Sequence, residues 1–196
     1  PHIRGDLANP QTLRLAQAFG APLLLNSAPR AGTLREYTTG HDIPVLLYEA
    51  GEALRFDEMA IRTGVRGLLN VMRALDMLPV RDATRLPEPV IARGSSWVRA
   101  PASGVLRVQV ALGEQVRKGE VLGVIGDPFG GAETPVLAGA HGLVVGSTAL
   151  PLVYEGDALF HVARFDAPET AAGVARNIVA ARRALKRGRR SQPRVV

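Results

Sequence analysis

Apolar and polar positions change rhythm along this chain, and the first 75 residues keep a helix–strand alternation. Asn9-Pro10 opens a helical pattern that runs to Phe19 and meets Gly20, placing an N-cap, a proline at the first helical position and a glycine just past the end. Pro22–Leu25 is a short apolar strand. Thr33-Leu34-Arg35-Glu36 spells a capping box, in which the Thr33 hydroxyl and the Glu36 carboxylate satisfy free backbone donors, and that helix stops near Gly40. Ile43-Pro44-Val45-Leu46-Leu47-Tyr48 is an apolar run that delivers Glu49 to its end, the pattern of a strand covered on both faces. From Asp57 a longer helix follows, with Ile61, Val65, Leu68, Leu69, Met72 and Leu75 on one face. Alternation of this kind predicts an α/β layer with parallel strands.

The rhythm breaks at Leu78-Pro79. Three prolines and mixed charges up to Pro89 read as a linker, residues 81–89, closing an α/β segment of residues 1–80. Short β segments with glycines then fill residues 90–166, and they repeat. Ala102-Ser103-Gly104-Val105-Leu106 matches Ala140-His141-Gly142-Leu143-Val144, and Val116-Arg117-Lys118-Gly119-Glu120 matches Val153-Tyr154-Glu155-Gly156-Asp157. Two related halves that cannot close alone suggest a pseudo-twofold sandwich or barrel. The pattern is similar to the barrel-sandwich hybrid of biotinyl and lipoyl carrier domains. Those carriers present a lysine on the hairpin that joins the halves. Here the joining segment, Gly126 to Thr134, has none, and the chain holds only Lys118 and Lys186, so a carrier function is disfavoured.

Composition is that of an ordinary folded protein: 46% hydrophobic and 21% charged over 196 residues. No cysteine is present, which removes disulfides and thiolate metal sites. No apolar run is long enough to span a bilayer, and the expected location is the cytoplasm. The net charge of +6 resides in a tail: Arg182, Arg183, Lys186, Arg187, Arg189, Arg190 and Arg194 lie within residues 167–196, which read as a helix and a basic extension. Without those seven, 17 basic residues face 18 acidic ones. A tail without aromatic residues gives no stacking platform, so nucleic acid is not an expected partner, and neither is a membrane.

Candidate chemistry is sparse. His2, His41, His141 and His161 follow no metal-ligand spacing, and no nucleophile elbow or phosphate loop occurs. Glu49 is the strongest single candidate: a carboxylate at a strand end, half-desolvated by apolar neighbours, is expected to have a raised pKa suited to general-base work. The competing reading is a strand-end glutamate that caps a turn or pairs with an arginine. Glu52, farther into the loop, is expected to be solvated. Arg35, in the first turn of a helix, opposes the macrodipole and makes more sense facing an anion, although it is one of 22 arginines. Tyr154 aligns with Arg117 in the repeat, where its phenol could reach outward or cover the β core.

Together, PHIRGDL, GTLREYTTGHDIPVLLYEAGE and the β region from VRAPASGVLRV to LPLVYEGDALFHVARF resemble the succinylglutamate desuccinylase/aspartoacylase family of the zinc carboxypeptidase superfamily. The resemblance implies the remnant of a carboxypeptidase-like α/β/α layer followed by an all-β barrel-sandwich-hybrid-like domain. It implies hydrolysis of the amide of an N-acyl amino acid or a related small molecule, with zinc as cofactor. The family's zinc ligands, a His and Glu close together and a second His, are expected upstream of Pro1. The chain would then be the C-terminal portion of a longer enzyme, inert alone, with no metal ligand of its own, and His2 is not assigned as one. On the same resemblance Glu49 corresponds to the general base that takes a proton from zinc-bound water, and Arg35 and Tyr154 to substrate-binding residues. The alternative is a non-enzymatic binding or assembly module, in which a homo-oligomer is one outcome.

Overall fold

A computed structural model describes residues 1–79 and 88–165. Most of the predicted linker, and the predicted helix and basic tail at 167–196, lie outside the described residues. The chain divides into two compact units, with the boundary between Ile91 and Ala92.

In the first unit, β1 (His2–Gly5), β2 (Leu23–Asn26) and β3 (Leu47–Glu49) form one sheet with β4 (Val90–Ala92), whose last residue falls past the boundary, in the order β3-β1-β2-β4. Helices α1 (Pro10–Phe19), α2 (Leu34–Thr39) and α3 (Glu58–Ala74) connect or flank the strands. The predicted caps of α1 are present. Asn9 Oδ1 accepts from the Thr12 amide at 3.0 Å, and Gly20 takes the left-handed conformation at φ 78° that ends the helix. Burial at Thr12, Leu15, Ala16 and Phe19 follows the helical period and sets Phe19 against Ile3 and Leu24. At α2 the Thr33 hydroxyl accepts from the Glu36 amide at 3.3 Å, but Glu36 reaches back to the Gly32 amide at 3.0 Å, one residue before the expected partner.

The sheet is not all parallel. β1 and β2 run parallel, whereas β3 lies antiparallel to β1, with His2 opposite Glu49 and Arg4 opposite Leu47. β3 is an edge strand of three residues, not the long covered strand that its apolar run predicts. Ile43 is 54% exposed and Leu47 41%. An edge strand has one neighbour, so half of its surroundings are missing however apolar its sequence.

α3 shows a second departure. An amphipathic helix normally turns its apolar stripe to the core. Here the inward face is small: Ala60, Thr63, Gly64 and Gly67 are its buried residues. A Cβ at Gly67 would sit 2.3 Å from the Phe19 ring, and one at Gly64 would sit 3.0 Å from Tyr48 Cε1. This close approach lets Phe19 and Tyr48 pack against each other and under the helix, with ring centroids 5.2 Å apart. The large residues point outward instead, with Ile61, Val65 and Leu68 all exposed.

The second unit contains two four-stranded sheets. One is β5 (Gly94–Arg99), β12 (Ala158–Arg164), β10 (Gly142–Ser147) and β7 (Gln115–Val116); the other is β11 (Leu152–Val153), β6 (Gly104–Val108), β8 (Val121–Gly126) and β9 (Glu133–Leu137). Leu106, Leu122 and Ile125 from one sheet share a core with Val144, Leu159, Phe160 and Val162 from the other. No closed barrel forms among the described residues. The sequence repeat is a physical one. β7 pairs with β10 at Gly142↔Val116, and β11 pairs with β6 at Gly104↔Val153, so each half lends a short strand to the other. Gly119 and Gly156 both turn at positive φ, 85° and 87°. The acid after each caps its own turn: Glu120 accepts from the Arg117 amide and Asp157 from the Tyr154 amide, both at 2.8 Å.

Candidate functional site

β1 and β3 converge on one carboxylate. Cross-strand pairing sets His2 beside Glu49, and the two-residue period of β1 returns Arg4 to the same face. His2 Nε2 lies 2.6 Å from Glu49 Oε2, and the Arg4 guanidinium donates to the same oxygen from Nε at 3.3 Å and Nη2 at 3.1 Å. Oε1 has no hydrogen-bond partner among the described residues. His2 is buried, and Glu49 keeps 36% of its side chain exposed.

Those contacts reverse one expectation. The His2 hydrogen bond, helped by the hydrogen bond and charge of Arg4, outweighs burial and lowers the Glu49 pKa to about 2. Desolvation alone would have raised it, but desolvation is the smaller effect once a histidine and a guanidinium share the oxygen. The antiparallel course of β3 also puts Glu49 beside the start of β1, not at the carboxyl edge of a parallel pair.

Arg35 follows the N-cap Thr33 by two residues. Its guanidinium rests on neutral oxygens: Nη1 donates to the Ser27 carbonyl at 3.0 Å, and Nη2 to Ser27 Oγ at 3.3 Å and the Ala28 carbonyl at 3.4 Å. Burial and then the charge of Arg4 lower its pKa, Glu49 and Asp6 act against them, and Arg30 adds to the lowering. Arg35, Arg4 and Glu49 therefore share one electrostatic neighbourhood. Glu52 is exposed and pairs with Arg55 at 3.5 Å. Tyr154 stands in the second unit on the turn closed by Asp157, with its side chain exposed.

His41 and His161 hold contacts of their own away from Glu49. His41 Nδ1 lies 2.7 Å from the Tyr37 carbonyl, and His161 stacks on Trp97 with its Nε2 2.7 Å from Ser95 Oγ. Among the described residues no three His, Cys, Asp or Glu side chains gather as a metal site. Nor does the His2–Glu49 pair suit a cation, because Arg4 already places its own charge on the carboxylate oxygen. Zinc does not fit the residues described. Arg4 is the site residue that motif reading passed over. Its signal is the His-Ile-Arg alternation of β1, meaningful only once β1 is known to be a strand.

A parallel strand pair edged by an antiparallel strand, a carboxylate clamped at that edge and a following twofold β unit define a mixed α/β protein with a β extension. No family profile and no curated protein matches the sequence. Solved structures do match. The chain is similar to a succinylglutamate desuccinylase/aspartoacylase from Rhodobacter sphaeroides, with 26% identity over 83% of this chain and 52% of that one, at a TM-score of 0.73. It is similar to the ectoine utilization protein EutE (DoeB) from Ruegeria pomeroyi, with 18% identity over 84% and 55% of the two chains, at 0.75. An aspartoacylase family protein from Mesorhizobium loti gives 16%, 85% and 58%, at 0.64. The chain is thus similar in fold to proteins of the succinylglutamate desuccinylase/aspartoacylase family, and it spans about half the length of the proteins it matches.

Proposed function

We propose that this chain is the C-terminal portion of a zinc-dependent hydrolase that cleaves the amide of an N-acyl amino acid or a related small molecule. What supports the reading is the strand-end carboxylate Glu49, fixed between His2 and Arg4 with Oε1 open, in a chain similar to desuccinylases and aspartoacylases. Glu49 is the proton carrier: it takes a proton from the attacking water and delivers it to the leaving amine. Arg35 contacts the substrate, binding the substrate's carboxylate through its guanidinium. Zinc, when bound, would polarise the amide carbonyl, and its ligands belong to the sequence upstream of Pro1. Finer architecture belongs to the same proposal: the second unit is a barrel-sandwich hybrid and the first a remnant of a carboxypeptidase-like layer.

The test pairs two proteins. The chain alone is expected to show no amidase turnover and no stoichiometric zinc. A longer protein carrying the upstream segment is expected to lose about 10²–10⁴-fold in turnover on Glu49→Gln. Stoichiometric zinc on the chain alone would overturn the assignment of the ligands, and undiminished turnover in the Glu49→Gln enzyme would remove Glu49 from the mechanism.

One observation favours a second reading, a binding or assembly module. The outward stripe of α3 offers Ile61, Val65 and Leu68 to a partner or a second copy. Light scattering decides: a clean monomer at working concentration counts against assembly.

A further inference from the structure

Glu49 raises a chemical difficulty that the hydrolase reading leaves open, and the inference here rests on that reading. A carboxylate held this far below its ordinary range is a poor proton acceptor at neutral pH. The geometry of its two partners suggests how the hold is released.

His2 and Arg4 do not grip equally. The His2 contact is short, 2.6 Å, and comes from a buried ring opposite Glu49 in the strand register. Arg4 instead brings two nitrogens to a single oxygen at 3.1 and 3.3 Å, rather than one nitrogen to each oxygen as in the strong parallel fork. Losing Arg4 would therefore leave the carboxylate in place. The third nitrogen of Arg4, Nη1, makes no hydrogen bond to a described residue. Arg35 is anchored on uncharged oxygens and keeps its charge unmatched by any directly bonded carboxylate. Around Arg35 the charged groups are Arg4 and Arg30 on one side of the balance and Glu49 and Asp6 on the other, so with Arg35 itself the cations exceed the anions by one. On the same sheet face β2 contributes only Leu23 and Leu25, which add no charge.

We propose that Arg4 is a positioning residue with an exchangeable partner: it holds Glu49 Oε2 in the arrangement seen here and turns to a small carboxylate that settles on Arg35. Such an anion satisfies the excess cation and takes the parallel hydrogen bonds that Glu49 does not receive. Glu49 then loses a cation and gains an anionic neighbour, and both changes raise its pKa, while His2 keeps its orientation. Substrate arrival would itself make the base basic.

The experiment reads protonation, not turnover. In chain labelled with ¹³C at glutamate side-chain carboxyls, the Glu49 resonance is assigned by its disappearance in Glu49→Gln. The probe is trifluoroacetate, a carboxylate that stays ionised in acid, with trifluoroacetamide as the neutral control. A carboxyl with midpoint at about 2 is about one-tenth protonated at pH 3, and a rise of about one pH unit makes it about half protonated, a five-fold change. That rise is expected with trifluoroacetate and not with the amide. Arg4→Met should start with Glu49 already raised and respond to the anion less than half as much, and Arg4→Lys should restore the low starting point. Three results would each overturn the exchange: no ¹⁹F shift of the probe, a shifted probe with Glu49 unmoved, or a wild-type midpoint in folded Arg4→Met. If Arg4→Met does not fold, the wild-type titration and Arg4→Lys decide alone. A longer enzyme that works without Glu49 would sink the hydrolase reading and leave this titration untouched, whereas a flat titration would sink the exchange only.

Discussion

Acid should weaken the first unit through Glu49 in a defined window. The carboxyl has a folded pKa of about 2 against an ordinary 4.5, so the folded state prefers it ionised. A depressed carboxyl contributes stability that is fully present above its unfolded pKa and disappears as pH falls through its folded pKa. The window is therefore about pH 4.5 down to about 2. Fully expressed, that displacement corresponds to about 3 kcal/mol. Because 36% of the side chain meets solvent, screening reduces the expected contribution to about 1–2 kcal/mol. Urea unfolding at a series of pH values measures it, with Glu49→Gln as the reference that carries every other titrating group but not this one. Wild type should lose about 1–2 kcal/mol more than Glu49→Gln between pH 5 and pH 2. Parallel curves for the two proteins across that window would refute the clamp, whatever their absolute stabilities.

Two predictions concern packing. Gly67→Ala should destabilise by about 1–3 kcal/mol in urea, because the new methyl meets the buried Phe19 ring; helix propensity alone would stabilise it by about 1 kcal/mol, so a gain would refute the close approach. Gly104→Ala and Gly142→Ala should each cost about 2–4 kcal/mol, since a Cβ would come within 2.5 Å of the Gly126 carbonyl and 2.2 Å of the Ala163 carbonyl. Thermal unfolding should show both losses, and one tolerated alanine would mean the two halves are not physically equivalent there.

Local chemistry was legible in the sequence. Asn9, Pro10 and Gly20 mark the ends of α1 because each acts within one turn of its own backbone. The repeat could be read because Gly104 and Gly142, like Gly119 and Gly156, solve the same local problem twice. Partnership across the chain was not legible. The pKa of Glu49 depends on residues 45 and 47 positions away, and nothing in IPVLLYE announces an antiparallel neighbour. Periodicity in α3 correctly marked a stripe of large residues. It could not show that the glycine face had the stronger claim on Phe19 and Tyr48, because close approach is a property of two surfaces and the sequence displays only one.

The two faces of α3 also bear on how the protein could be engineered. Variants ranked by the stability of this chain alone would treat Ile61, Val65 and Leu68 as free positions and reward polar replacements, since these side chains are already 44%, 54% and 61% in solvent. The same screen would defend Gly64 and Gly67, which pattern-based rules mark for improvement. A redesign guided by such rankings would give a better-behaved molecule stripped of this apolar stripe, so screens at these positions should score association or activity alongside melting.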